Sequence, residues 1–306
     1  MWPFRPTPDL AATEARLRKH VDMLAGVIGE RNVYRPGTLE AAARYIEDTF
    51  RATGFTPAAQ VFDAYGQPVR NIEVELTGIR HPERIWILGG HYDTVDGSPG
   101  ADDNASAVAG VLEAATLLAK SRPRDTLRFV TFVNEEPPFY KGPKMGSVVY
   151  ANRCRARNED VRGMINLEML GCFSDAPGSQ EYPYPLCRAP WKYLLPRRGN
   201  FIAFCGDGAS WWLTRRCHRA FRRTVRFPSR WVAAPRRLDA LGMSDHWSFW
   251  QQGYRAVMMT DTAFFRYPHY HKASDTPEKL DYPRMAQVVF GVAGTMSRLA
   301  GGSPPT

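Results

Sequence analysis

Apolar and polar residues recur along this chain with two periods, and the switches between them predict its elements. "DLAATEARLRKHVDMLAG" and "GTLEAAARYIEDTFRATG" carry apolar residues at helical spacing and each closes on glycine, so both read as amphipathic helices. Short apolar or alternating runs come next: "AQVFDAY", "NIEVEL", "RIWILGG", "LRFVTFVN", "GMINLEML", "NFIAFCG" and "YRAVMMTD". These read as strands, most of them separated by helical patterns such as "SAVAGVLEAATLLAK". "YPRMAQVVFGVAGTMSRLA" reads as a closing helix. The alternation predicts an α/β fold with a central mixed, mainly parallel sheet flanked by helices on both faces. No repeat or flexible linker interrupts it, and 306 residues is the upper range of one α/β unit, so a single domain over 1–306 is expected. The stretch from about Ser174 to Pro196, rich in Pro, Tyr and Gly, has no period and is expected to loop over one end of the sheet. The longer segment 174–237 is expected to shape a pocket.

Charge and cysteine usage narrow the class. The formal charge is +9, and the excess lies between Cys187 and Arg237, in "PRRGN", "TRRCHRAFRRTVRF" and "PRRL". A basic stripe suits nucleic acid or an acidic substrate, but no recognition motif accompanies it, so no nucleic-acid partner is expected. Five cysteines without a CxxC pair argue against a disulfide framework or thiolate-bound zinc. No apolar run approaches the ~18 residues of a membrane span, and the first twenty residues lack the apolar core of a secretory signal. The expectation is a soluble, cytoplasmic protein with no membrane partner; the oligomeric state is left open.

Ligand sites of open α/β sheets lie beyond the carboxyl ends of the strands. There the chain places His91 and Asp93 after "RIWILGG", the acids of "GADDNAS" opening a helix, Glu135 and Glu136 after "LRFVTFVN", Glu168 in "GMINLEML", and His269 and His271 after "YRAVMMTD". Each has an ordinary reading as a turn, a helix cap or a surface side chain. All five at strand ends together favour a site. Imidazole and carboxylate without thiolate suit zinc or a similar divalent ion, and two ions bridged by a carboxylate would explain why so many acids crowd together.

These blocks, with "RNVYRPGTLEAAARYIEDTF" before them and "SDHWSFWQQGYRAVMMTDTAFFRYPHYHKASDTPEKLD" after, resemble in order and spacing the co-catalytic zinc aminopeptidases and carboxypeptidases of metallopeptidase family 28. The resemblance implies one zinc-peptidase domain, a peptide substrate and zinc, two ions per chain. It makes His91 and Glu168 ligands of one ion, Glu136 and His271 ligands of the other, and Asp103 the bridge. It gives Glu135 the general-base role, Asp93 a hydrogen bond to the outer nitrogen of His91, and Tyr270 a place near the developing oxyanion. It also implies a cis peptide at Asp103-Asn104. His246 and Asp245 recur near the pocket without a defined role, and His269 is expected to be a loop residue. Two departures stand out: "PPFYKGPKM" after Glu136 replaces a shorter, glycine-containing turn, and Ala107 stands where many relatives have Gly.

The expected activity is therefore exopeptidase hydrolysis, foremost removal of amino-terminal residues. Glutaminyl cyclases share the fold and several of these acids but close a ring with an internal amine and one zinc, so cyclization is the alternative. A carboxypeptidase or dipeptidase for acidic peptides is a third, with Arg197, Arg198, Arg215 or Arg255 as its cations. A non-enzymatic relative would lack acids, and here the inferred ligands and base are all present.

Overall fold

The computed structural model describes residues 10–184, 186–236, 238–303 and 305. Arg237 and the first nine residues, which enter the expectations on charge and on a secretory signal, lie outside them. The chain starts with α1 (Ala11–Val21), continued as a π-helical turn over Asp22–Ile28, and α2 (Pro36–Ala52). Strands β1 (Ala58–Ala64), β2 (Gln67–Leu76) and β3 (His81–His91) come next, then α3 (Ala107–Leu118), β4 (Asp125–Phe132), α4 (Gly146–Ala156) and β5 (Asp160–Glu168). The second half holds the short α5 (Trp191–Leu194), β6 (Ile202–Asp207), α6 (Trp211–Thr224), β7 (Ser229–Ala234), α7 (His246–Gln251), β8 (Ala256–Thr260) and α8 (Tyr282–Leu299).

The eight strands among the described residues form one sheet in the order β1-β2-β4-β3-β5-β8-β6-β7. The middle four, β4, β3, β5 and β8, run parallel, with β2 antiparallel to β4 and β6 antiparallel to β8. The mixed, mainly parallel sheet that the pattern predicts is thus present. From Ile85 to His91, and from Gly163 to Glu168, every residue is buried, as parallel strands covered on both faces require. Helices α1, α3, α6 and α8 share the larger apolar core, built from residues such as Leu17, Val111, Phe221 and Val289. Helices α4 and α7 cover the opposite face through Tyr150, Phe249 and Trp250.

This topology locates the site. The connection through α3 moves the chain from β3 to β4, and the connection through α4 brings it back past β3 to β5. The two crossovers part at β3, which makes the carboxyl ends of β3 and β5 the switch point where a crevice opens. The described residues of 174–196 are irregular apart from α5, as expected, with Pro185 outside them, and the described part of 197–236 contributes β6, α6 and β7 to the fold. Among the described residues, no helix is long and apolar enough to cross a membrane.

Candidate metal centre

The carboxyl ends of β3, β4 and β5 bring His91, Glu135, Glu136 and Glu168 into one crevice, and loops add Asp103 and His271. The Nε2 of His91 lies 3.5 Å from Asp103 Oδ1 and 3.6 Å from Glu168 Oε2. The Nε2 of His271 lies 3.2 Å from the other oxygen of Asp103 and 3.3 Å from Glu136 Oε1. Two three-residue clusters thus share Asp103, one oxygen facing each. The side chains are buried, apart from the half-buried His271. Ligand atoms ~2.0–2.2 Å from a tetrahedral ion stand about 3.3–3.6 Å apart, so both spacings fit a zinc-sized cation. The buried atoms His91 Nε2, Asp103 Oδ1 and His271 Nε2 have no hydrogen-bond partner, which is costly unless something cationic lies between them.

Backbone geometry aims these side chains. Gly100, at φ 59, turns the chain into the π-helical stretch Ala101–Ser106; a Cβ there would meet Asp103 O at 2.3 Å. The Asp103-Asn104 peptide is cis, as the resemblance implies. Asn134, Met169 and His271 adopt left-handed φ of 60, 48 and 56; His271 is a cluster residue, Met169 follows Glu168, and Asn134 precedes the pair Glu135 and Glu136. Strained non-glycine backbone of this kind gathers where surrounding structure dictates a functional geometry.

A ring of polar residues holds the clusters. Ser244 donates to Glu168 Oε2 at 2.5 Å, Asn104 Nδ2 donates to the same oxygen at 3.2 Å, and Asn166 donates to Ser244. Asp275 accepts the backbone N–H groups of Asp102 and Asp103 and the Tyr267 hydroxyl. Arg31, fully buried, donates to the carbonyls of Leu24, Gly29, Tyr92, Pro99 and Gly100, tying the loop after His91 to the first helices. None of these stood out in the sequence. Asp275, in "YHKASD", and Ser244, in "MSDH", sit within the motif blocks, but nothing in the pattern shows which cluster residue each reaches.

Asp93 serves the backbone of the base as well as His91. Its carboxylate accepts the backbone N–H groups of Glu135 and Glu136, both at 3.1 Å. The Nδ1–H of His91 donates at 3.2 Å to the Asp93 backbone carbonyl, with the nearer carboxylate oxygen at 3.5 Å. The turn after β4 would otherwise leave two buried N–H groups bare, and these claim the carboxylate. The tautomer outcome is unchanged, since Nδ1 carries the proton and Nε2 faces the acids.

The electrostatics agree with a site built for cations. Burial would lower the pKa of His91, but Glu168, Glu135, Asp103 and Asp93 outweigh it and raise it well above its ordinary value. His271 is likewise pushed up to about 10, by Asp103 and Glu136 against burial. Burial pushes Asp103 up, yet His271 and His91 hold its carboxyl below the usual range. Burial and Asp103 push Glu136 up to about 7, and burial, helped by Glu136, Glu168 and Asp245, lifts Glu135 well above the usual carboxylate range. Protons on the imidazoles do here what a divalent ion in each cluster would do, and ion binding would release them.

The remaining candidates fall on either side of the crevice. The Tyr270 ring stacks on His271 at 3.8 Å, and burial together with Asp103, Glu136, Glu168 and Glu135 raises its pKa, so the phenol keeps its proton. His269 pairs with Ser274 outside both clusters. His246 Nε2 donates to the Leu241 carbonyl, and Asp245, fully buried, is pushed up to about 7 by burial with Glu168 and Asp93 nearby. In "PPFYKGPKM", Phe139 is buried against Tyr65, and Tyr140 is raised by burial and by Glu135 and Glu168, so this segment walls the crevice beside the base. Ala107 packs against Gly90, where an added Cβ would come within 3.3 Å of it. Arg255 precedes β8, and Arg215 follows Ser210, whose Oγ accepts the Ala256 N–H. Both arginines therefore lie toward the opposite end of the sheet from His91.

The model of peptidase family M28 matches residues 71–296, a span that holds every cluster residue. The chain belongs to this peptidase family. It is 36% identical over 295 residues, 94% of this chain and 88% of the other, to the uncharacterized protein YfbL of Escherichia coli (strain K12). Its fold matches the zinc aminopeptidase BSAP from Bacillus subtilis at a TM-score of 0.74 and 14% identity, over 95% of this chain and 96% of that one. A glutaminyl cyclase from Fimbriiglobus ruber superposes at a TM-score of 0.67 and 20% identity, over 97% and 98% of the two chains. This M28 member thus shares its fold with both a peptidase and a cyclase.

Proposed function

We propose that this M28 chain is a co-catalytic zinc aminopeptidase. The observation that carries the reading is the shared Asp103: its two oxygens face separate clusters, His91 with Glu168 and His271 with Glu136, each with the donor set and spacing for one zinc. In this reading Asp103 is the bridge and the other four are terminal ligands. Bound zinc supplies a water of lowered pKa and a polarised scissile carbonyl.

Glu135 belongs to neither cluster, with its Oε2 3.9 Å from His91 Nε2. That leaves its carboxylate to take the proton of the attacking water and pass it to the leaving amine. Burial favours this, because a carboxyl whose pKa is raised holds a transferred proton more readily than an exposed one. Asp93 sets the base's position by accepting the Glu135 and Glu136 N–H groups. Tyr270, protonated and stacked on His271, offers a hydroxyl to the carbonyl oxygen as charge develops there. In this reading the segment after Ser174 walls the crevice, which a tie to the loop of His271 supports: Glu181 N–H donates to Phe265 O, and a cavity of about 340 Å³ lies among Tyr182, Tyr193 and Arg197.

A cyclase uses one ion and would leave the second cluster without purpose, so the paired clusters favour hydrolysis. The test combines elemental analysis of purified protein with release of nitroaniline from a panel of aminoacyl-nitroanilides, before and after chelation. Two zinc ions per chain and chelator-sensitive release support the proposal. One zinc, no release from any aminoacyl substrate and ring closure of an amino-terminal glutamine would replace it with the cyclase.

A further inference from the structure

The strongest feature unused by the peptidase reading is the face made by α6 and the sheet-edge strand β7. The stretch Trp211–Ala234 contains seven arginines and no lysine, aspartate or glutamate. On α6, Trp212, Arg215, Arg219 and Arg222 recur at three- and four-residue spacing on the side opposite Leu213, Cys217 and Phe221, which are buried. Arg219, Arg222 and Arg223 are exposed, as is Trp231 on β7, which pairs with Phe204 and points to the α6 side of the sheet, whereas Arg230 and Val232 pair with Ala203 and Cys205 and point to the other side. Trp211 joins the two elements, its ring 4.6 Å from that of Trp212 and 5.8 Å from that of Trp231, with the Arg215 guanidinium over the two indoles of α6. Trp212 is 68% exposed, an unusual position for a side chain with so much apolar surface.

We propose that this face docks the protein onto an anionic lipid bilayer, its arginines at the lipid phosphates and Trp212 and Trp231 in the headgroup layer. Guanidinium groups pair with phosphate oxygens bidentately, so an arginine face suits a phosphate-bearing surface. Indole rings favour the water–lipid boundary, and a charged face flanked by aromatic side chains is the pattern of surface-bound elements. A second copy of the chain does not fit, because a two-fold contact here would set arginines against arginines. A nucleic acid fits less well: base stacking needs an open ring face, whereas Trp212 packs against Trp211 and Arg215. Since no described helix can cross a bilayer, the contact is one of surface to surface. Three strands separate β7 from β3 in the sheet, so a docked face leaves the crevice at His91 open to solvent.

The test is co-sedimentation of the intact chain with vesicles of phosphatidylcholine, with and without about 30 mol % phosphatidylserine. Binding is expected only with phosphatidylserine and falls as salt is raised. The combined variant Arg219→Ala, Arg222→Ala, Arg223→Ala is expected to bind about 100-fold more weakly, from three surface charges lost. Trp212→Ser with Trp231→Ser removes the part of binding that survives high salt. Circular dichroism confirms that the variants fold. Equal binding to both vesicles, or an unchanged triple-arginine variant, overturns the proposal. So does stronger binding to polyuridylate than to vesicles at matched phosphate and salt, or a wild-type dimer that the arginine variant makes monomeric.

Discussion

Two regions of this molecule concentrate charge of one sign, and they handle it in opposite ways. At the ends of β3, β4 and β5, Asp103, Glu135, Glu136 and Glu168 are all buried, and several of their neighbours' polar atoms have no partner. Along α6 and β7, arginines are just as dense but exposed. Water and salt screen the second group at little cost, since exposed charges interact weakly. Burial removes that remedy from the first group, so its acids must take up protons or face cations. The comparison shows why the acid cluster reads as a binding centre, while the basic one reads as a contact surface.

The sharpest way to break the contrast is at the base. Glu135→Gln keeps the shape and removes one buried carboxylate that belongs to neither cluster; kcat on an aminoacyl-nitroanilide is expected to fall about 10³-fold with zinc content unchanged. A parallel loss of zinc would mean that Glu135 is a ligand. Next comes Arg31, the buried cation among these acids, with Asp275, Asp93 and Asp103 as the charges acting on it. Arg31→Met removes the guanidinium from five backbone carbonyls, of which Leu24 O and Gly100 O keep a backbone donor, and is expected to cost about 4 kcal/mol in denaturant titration. A cost under about 1 kcal/mol would show that water replaces the guanidinium.

Two buried histidines outside the clusters extend the comparison to pH. Burial lowers both His20 and His246 to about 4, below the 6.5 of an unfolded chain. The unfolded state therefore binds more protons between those values. Their contribution is complete above pH 6.5 and disappears as pH falls toward 4, about 3 kcal/mol from each at the limit. Replacing His246 by Gln should flatten the acid side of the stability profile, measured by urea midpoints between pH 7 and pH 4; an unchanged profile rules the residue out. The smallest effect is expected at the exposed face, where Arg219→Ala should alter folding stability by less than about 0.5 kcal/mol and leave peptidase activity intact.

Strong periodicity made most of the fold legible in the sequence. Seven of the eight described strands correspond to apolar runs visible in the chain, and the closing helix spans Tyr282–Leu299 much as its pattern indicates. β7 escaped because "SRWVAA" is six residues between prolines, at an edge where only one neighbour must be satisfied and half of the residues stay exposed. The histidines and acids that meet in the crevice were also visible, since strand ends are where open sheets place ligands. Their supports were not: Ser244, Asn104 and Arg31 act through contacts most of which span more than sixty residues, and each is an ordinary polar residue by type.

What the sequence determined by itself was the alternation of strand and helix, the residues at strand ends and, through its motif blocks, membership of the M28 family. Local pattern suffices there, because periodicity and order are written residue by residue. Only the tertiary structure decided that Asp103 presents one oxygen to each cluster, that the Asp93 carboxylate turns to the backbone of Glu135 and Glu136, and that the arginines of α6 share one face with Trp212 and Trp231. Each depends on where distant segments converge, and the packing of the sheet, not any local propensity, sets that.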